Sequence, residues 1–160
     1  MYFAITVYAI AMTIANLLVV AFGPAITPVN AFVLIGLDLA LRDWLHIKLS
    51  AKKMLGLIVA TGAITYALNP AAGQIAIASA VSFTAAAFID WGVFQRLSNQ
   101  SWIVRSNASN VAGAAIDSLI FPTIAFGVLM PEIVAMQFIA KVAGGAVWSF
   151  AIARLTRNAP

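Results

Sequence analysis

The run Tyr2–Phe22, YFAITVYAIAMTIANLLVVAF, holds no charged residue and ends at Gly23-Pro24. A helix needs about 20 mostly apolar residues to cross a bilayer, and this run supplies them. No basic segment precedes it, and its apolar stretch is longer than the core of a signal peptide, so it reads as a helix of the mature protein. The rest of the 160-residue chain has the same character: 63% of residues are hydrophobic and 9% charged, with a mean hydropathy of +1.00. A soluble domain carries about a quarter charged residues. The composition therefore predicts an integral membrane protein, all-α, in one transmembrane domain covering 1–160.

Five more candidate spans follow. They are Val29 to about Ile47, a short Met54–Leu68, Gln74 to about Leu97, Ser106–Met130, and Pro131 to about Ala153, followed by a tail with Arg154, Arg157 and Pro160. Asn69-Pro70 marks a turn, because proline cannot continue a hydrogen-bonded helix and disfavours the α conformation in the residue before it. A polar linker, Ser98–Arg105, separates the fourth span from the fifth. Connections this short make neighbouring helices antiparallel, so the expected product is a compact bundle of six transmembrane helices.

Basic residues near span ends are retained on the cytoplasmic side. Under six spans, Arg42, Lys48, Lys52, Lys53, Arg96, Arg105, Arg154 and Arg157 all fall on one side, which places both termini in the cytoplasm and the protein in the cytoplasmic (inner) membrane. Trp44, Trp91, Trp102 and Trp148 lie toward that side, where an interfacial aromatic belt is expected. The net charge of +4 forms no solvent-facing patch, which excludes a nucleic-acid partner. With no Cys and one His, thiol, disulfide and metal chemistry lack parts, and no cofactor, metal or catalytic residue is expected. The chain reads as no enzyme.

Lys141 is left near the middle of the sixth span, and Asp117 near the middle of the fifth. A central Asp or Lys costs about 2.5 to 3.5 kcal/mol on insertion, while the apolar residues of the fifth span return roughly 4 kcal/mol, so one Asp is carried. Helical spacing lines up Asp38, Arg42 and His46; Ser79, Ser82, Ala86 and Asp90; Ser106, Asn110, Gly113, Asp117 and Phe121; and Gln137, Lys141, Gly144 or Gly145, and Trp148. Four helices thus offer one polar stripe each. Intramembrane ionisable residues mark substrate or ion paths, and Asp117 and Lys141 are expected to face a common cavity. Arg42, Asp43 and His46 read instead as interfacial groups that snorkel toward headgroups. Asp90 is balanced between anchor and site, and Ser79, Ser82, Gly144 and Gly145 read as packing residues.

The stretch Ser106–Phe121, with its Asp117-Ser118 pair, followed by Ala125-Phe126-Gly127, resembles the most recognisable segment of the queuosine precursor transporter family, also called the vitamin uptake transporter family. Gly36–Asp43, Phe88–Phe94 and Gln137–Lys141 support the resemblance. It implies import of a 7-deazaguanine such as 7-cyano-7-deazaguanine, held in a polar cavity between helices. A guanine-like edge offers two adjacent N–H donors, a carbonyl oxygen and a flat face. Asp117 or Asp90 then takes the donors, Asn110, Gln137 or Lys141 the carbonyl, and Phe121 or Trp148 the face, with Asp38 and Arg42 completing the candidate set.

The rival reading is the substrate-binding subunit of an energy-coupling factor vitamin importer, which works with an ATPase module. Ala11-Met12-Thr13-Ile14-Ala15 would be its small-residue docking pattern. Expected partners are a deazapurine and the lipid bilayer, with the ATPase confined to the rival reading; a homo-oligomer is compatible with the sequence.

Overall fold

A computed structural model describes residues 2–156, apart from the side chains of His46, Ala51 and Thr156. Among the described residues there is no strand. The helices are α1 (Tyr2–Phe22), α2 (Thr27–Asn30), α3 (Gly36–His46), α4 (Ala51–Leu68), α5 (Gly73–Arg96), α6 (Trp102–Phe126) and α7 (Pro131–Thr156). Arg157 and Pro160 of the expected tail lie outside the described residues.

Four helical runs have the length and composition to cross a membrane: Tyr2–Leu45, Pro70–Arg96, Trp102–Phe126 and Pro131–Leu155. The first, 44 residues long, is not straight. Gly23 adopts a φ of 66°, a conformation that favours glycine, and a 3-10 turn at Gly23–Ile26 follows with Pro24 inside it. The chain then doubles back: Asn30 Nδ2 donates to Ala15 O at 2.7 Å, although the two residues would lie about 22 Å apart along a straight helix. Asn69 accepts from the Ala71 amide at 3.1 Å to make the turn before α5. α6, capped by Ser101, begins four residues earlier than the fifth span was expected to, and Gly127 (φ 71°) ends it. The expected linker Ser98–Arg105 is shorter for that reason.

The molecule is apolar outside and polar inside. Ile77, Phe88, Ile139 and Phe150 are more than half exposed, whereas Asp38, Arg42, Asp43, Asp90, Asp117 and Lys141 are each at most 1% exposed. Water would reverse this distribution, and lipid rewards it. Small residues let the backbones meet, since lipid-facing helices gain little from hydrophobic contact alone. Gly144 on α7 presses on the carbonyl group of Phe32, and a Cβ built on Gly36 would lie 2.6 Å from the Gly144 carbonyl carbon. Phe32 belongs to a π-helical stretch, Ala31–Ile35, that joins α2 to α3. The obstruction is backbone and has no rotamer to change, so Gly144→Ala should destabilise the protein by about 1 to 3 kcal/mol, read as a lower melting temperature in detergent. Unchanged melting would contradict this crossing.

Ala11, Met12 and Ala15 are buried in the bundle. They pack α1 inward and so do not form the outward docking pattern of an ATPase-coupled subunit. Trp102 is also buried, in the same core as Phe94 and Ile152, rather than standing in an interfacial belt.

Candidate functional site

The interior polar groups form two clusters. In the first, Asp117 on α6 faces Lys141 on α7, with Nζ 2.8 Å from Asp117 Oδ2. The same ammonium donates to Gln137 Oε1 at 2.8 Å, one turn earlier on α7, and to Ser118 Oγ at 3.2 Å. An ammonium has three N–H donors, and these three partners use them all. Lys141 is therefore an anchor for Asp117 and Gln137, with no donor left for a ligand carbonyl.

Open atoms remain on two of the residues that Lys141 holds and on Asn30 of α2. Asp117 Oδ1, Gln137 Nε2 and Asn30 Oδ1 are buried without a hydrogen-bond partner, and all three residues line one cavity. The wall is completed by Asn16, Thr27, Ser79, Phe83 and Phe121 among others. Asn16 is itself held: Ser79 Oγ donates to its Oδ1 at 2.5 Å, and its Nδ2 donates to Thr65 Oγ1 at 3.4 Å. The cavity thus presents two acceptors, one donor and two phenyl rings. Its volume is about 20 Å³, room for a water rather than a purine. This conformation is closed.

The second cluster surrounds Arg42. Its Nε lies 3.7 Å from Asp90 Oδ2. Gly113 on α6 leaves space for the guanidinium, since a Cβ there would lie 3.5 Å from Nη2 and 3.3 Å from the Asp90 Cβ. Asp43 accepts from Ser106 Oγ at 2.5 Å and from Ser109 Oγ at 3.4 Å, and Ser106 pairs with Ser149 at 2.9 Å. Neither oxygen of Asp38 has a hydrogen-bond partner. The snorkelling reading of Arg42 and Asp43 is corrected here: both are fully buried, because α3 is enclosed by α1, α6 and α7 and its side chains have no path to the headgroups. Lys48, stacked 4.9 Å over Trp44, and Arg105, 3.9 Å over Phe94, show where the basic residues outside the clusters lie.

Of the residues singled out from sequence, Asp117, Lys141, Gln137 and Phe121 meet at the cavity. Asp38, Arg42 and Asp90 gather in the second cluster. Asn110 joins that cluster too, its Nδ2 donating to Ser106 Oγ at 3.4 Å and its side chain lying against Gly145. It does not line the cavity with Asp117, nearly two turns along α6. Trp148 donates to Val33 O at 3.0 Å and likewise stands outside it. Sequence reasoning missed Asn16 and Asn30. Asn16 falls at i+4 and i+8 from Met12 and Tyr8, all three buried, and that spacing was the available signal.

No curated protein and no solved structure matches the chain. One family model does, described as "Putative vitamin uptake transporter", and it matches residues 2–154. The match runs from the first residue of α1 to the last turns of α7 and takes in both clusters. With an apolar exterior, a buried polar interior and a family match over nearly its whole length, this chain is an integral membrane protein that belongs to the vitamin uptake transporter family.

Proposed function

We propose that this protein is a carrier, not an enzyme, that imports a 7-deazaguanine precursor of queuosine across the cytoplasmic membrane through a six-pass bundle with both termini inside. The observation that carries the reading is the trio of open atoms on one cavity wall: Asp117 Oδ1 and Asn30 Oδ1 as acceptors and Gln137 Nε2 as a donor. A guanine-like edge has the reciprocal set, two N–H donors beside a carbonyl, and Phe83 and Phe121 supply faces for its ring. Asn30 takes the acceptor role that the sequence allocation offered to Asp90, and Gln137 keeps the carbonyl, so Asn110 drops out. The closed cavity must widen for the ligand, and the element suited to move is the interrupted helix α2–α3, whose π-helical stretch separates Asn30 from Asp38.

The six-pass reading is supported by the reversal at Gly23, which splits the first run in two, and takes α4 as a further pass beyond the four long apolar runs. Cysteine labelling should reach Asn69–Gly73 only from outside the cell; labelling only from the cytoplasm would contradict the topology. Specificity should follow from the buried carboxylate. A hypoxanthine-like analogue lacks the exocyclic amine and leaves an acceptor unpaired, at a cost of about 1 to 3 kcal/mol or more for a charged group. In a melting screen of the purified protein, 7-cyano-7-deazaguanine at 100 times its Kd should stabilise by about 2.7 kcal/mol. Hypoxanthine at the same concentration should do far less. Equal shifts would remove Asp117 from recognition.

A further inference from the structure

We infer that Asp38 is a proton-binding site that loads one proton in each transport cycle and couples it to the ligand cavity. The inference rests on the carrier reading above for its coupling half, and on the second cluster alone for the proton.

Three carboxylates, Asp38, Asp43 and Asp90, share the surroundings of one guanidinium, Arg42, and all four side chains are fully buried. Burying an ion without compensation is expensive, so a group left without a partner neutralises instead. Asp43 is compensated by two serine hydroxyls and Asp90 by the ion pair with Arg42. Asp38 has neither a serine donor nor a close ion pair: its oxygens are buried, and the Tyr8 hydroxyl is the one donor facing them, without the geometry of a full hydrogen bond. It is the carboxyl of the three best suited to hold a proton.

The groups facing Asp38 are Tyr8 on α1, Arg42 on its own helix, Asp90 on α5, Asp117 on α6 and Lys141 on α7, while Asp43 faces Arg42 and Asp90 instead. The basic residues of α4, Lys52 and Lys53, are both exposed, unlike the buried Asp38. A metal ion is a poorer occupant, because among the described residues no three His, Cys, Asp or Glu side chains are disposed to hold one. Asp38 therefore touches both clusters electrostatically, Arg42 and Asp90 on one side and the Asp117–Lys141 pair on the other. A ligand that engages Asp117 changes the field at Asp38, and protonation of Asp38 changes the field at Asp117. By linkage the two binding events are reciprocal. Arg42 supports the same picture: its three nitrogens are buried without hydrogen bonds, so its charge is free to be shared among the carboxylates as one of them gains or loses a proton.

Infrared spectroscopy of the purified, ligand-free protein tests the proton directly. At neutral pH the wild type should show the carbonyl stretch of a protonated carboxylic acid. That band should vanish in Asp38→Asn, shift in Asp38→Glu and persist in Asp117→Asn. Asp38→Asn mimics the neutral acid, so it should melt close to the wild type; if it fails to fold, the Asp38→Glu shift and alkaline loss of the wild-type band still decide. No band, or a band indifferent to Asp38, overturns the proton site. Coupling is read in vesicles at zero membrane potential, where a gradient of one pH unit should drive about tenfold accumulation of 7-cyano-7-deazaguanine in the wild type and none in Asp38→Asn. Uptake by the wild type that ignores the gradient overturns the coupling. Absence of any uptake, with the infrared band present and lost in Asp38→Asn, would strike the carrier reading while upholding the proton site.

Discussion

Replacing Arg42 with methionine should cost about 3 to 5 kcal/mol, because it removes one partner of a buried ion pair and leaves the other uncompensated. Arg42 is enclosed by Asp38, Asp43 and Asp90 at no measurable exposure, and Gly113 opens the space it fills. Methionine approximates the stem but not the charge. The expected result is a large drop in folded yield and melting temperature in detergent. Arg42→Met combined with Asp90→Asn should recover part of the loss, since it removes the stranded charge as well. Had Arg42 snorkelled to the headgroups, as its position near Trp44 and Lys48 implied, the single change would be mild. A single mutant that melts like the wild type would contradict the buried cluster.

The second large effect belongs to the Asp117–Lys141 pair. Lys141→Ala leaves Asp117 without its 2.8 Å partner and frees Gln137 and Ser118 from the ammonium that holds them, while Asp117→Ala strands a buried ammonium. Each should destabilise by about 3 to 5 kcal/mol. The exchange Asp117→Lys with Lys141→Asp restores opposite charges on the facing helices, and should recover expression lost in the charge-changing singles. Residues in contact show coupling of about 0.5 to 3 kcal/mol in double-mutant cycles, and the alanine cycle should fall in that range. Two tolerated alanine substitutions would contradict the pair.

Much of this arrangement was legible in sequence because membrane helices sort residues sharply. The bounds of Tyr2–Phe22 could be read from the charge-free run and its Gly-Pro end, and the meeting of Asp117 with Lys141 from the cost of isolated mid-span charges on adjacent helices. Burial of Arg42 and Asp43 was not legible. A charged residue near an aromatic and a basic loop has the same local pattern at an interface as inside a bundle, and only the packing of α1, α6 and α7 around α3 distinguishes them. Asn30 was hidden for another reason. The π-helical stretch at Ala31–Ile35 changes the phase of the helix, so spacing counted from Asp38 does not carry back to it. Gln137 and Asn110 illustrate the limit of stripes. Both lie on the inward face of their helices, yet only Gln137 reaches the cavity wall, since depth along the bundle decides between the clusters.

The central claim is that the open atoms of Asp117, Asn30 and Gln137 recognise a guanine-like edge during import. Its most direct test is uptake of radiolabelled 7-cyano-7-deazaguanine by cells that make no deazaguanines, with this protein as the added carrier. The expected result is uptake that depends on the protein, is competed by unlabelled deazaguanine far better than by hypoxanthine, and falls sharply in Asp117→Asn while that variant still reaches the membrane. Asparagine keeps the size but sets an N–H where the ligand's own donor points. Protein-dependent uptake that Asp117→Asn leaves unchanged, or no deazaguanine uptake by the native protein, would contradict the account.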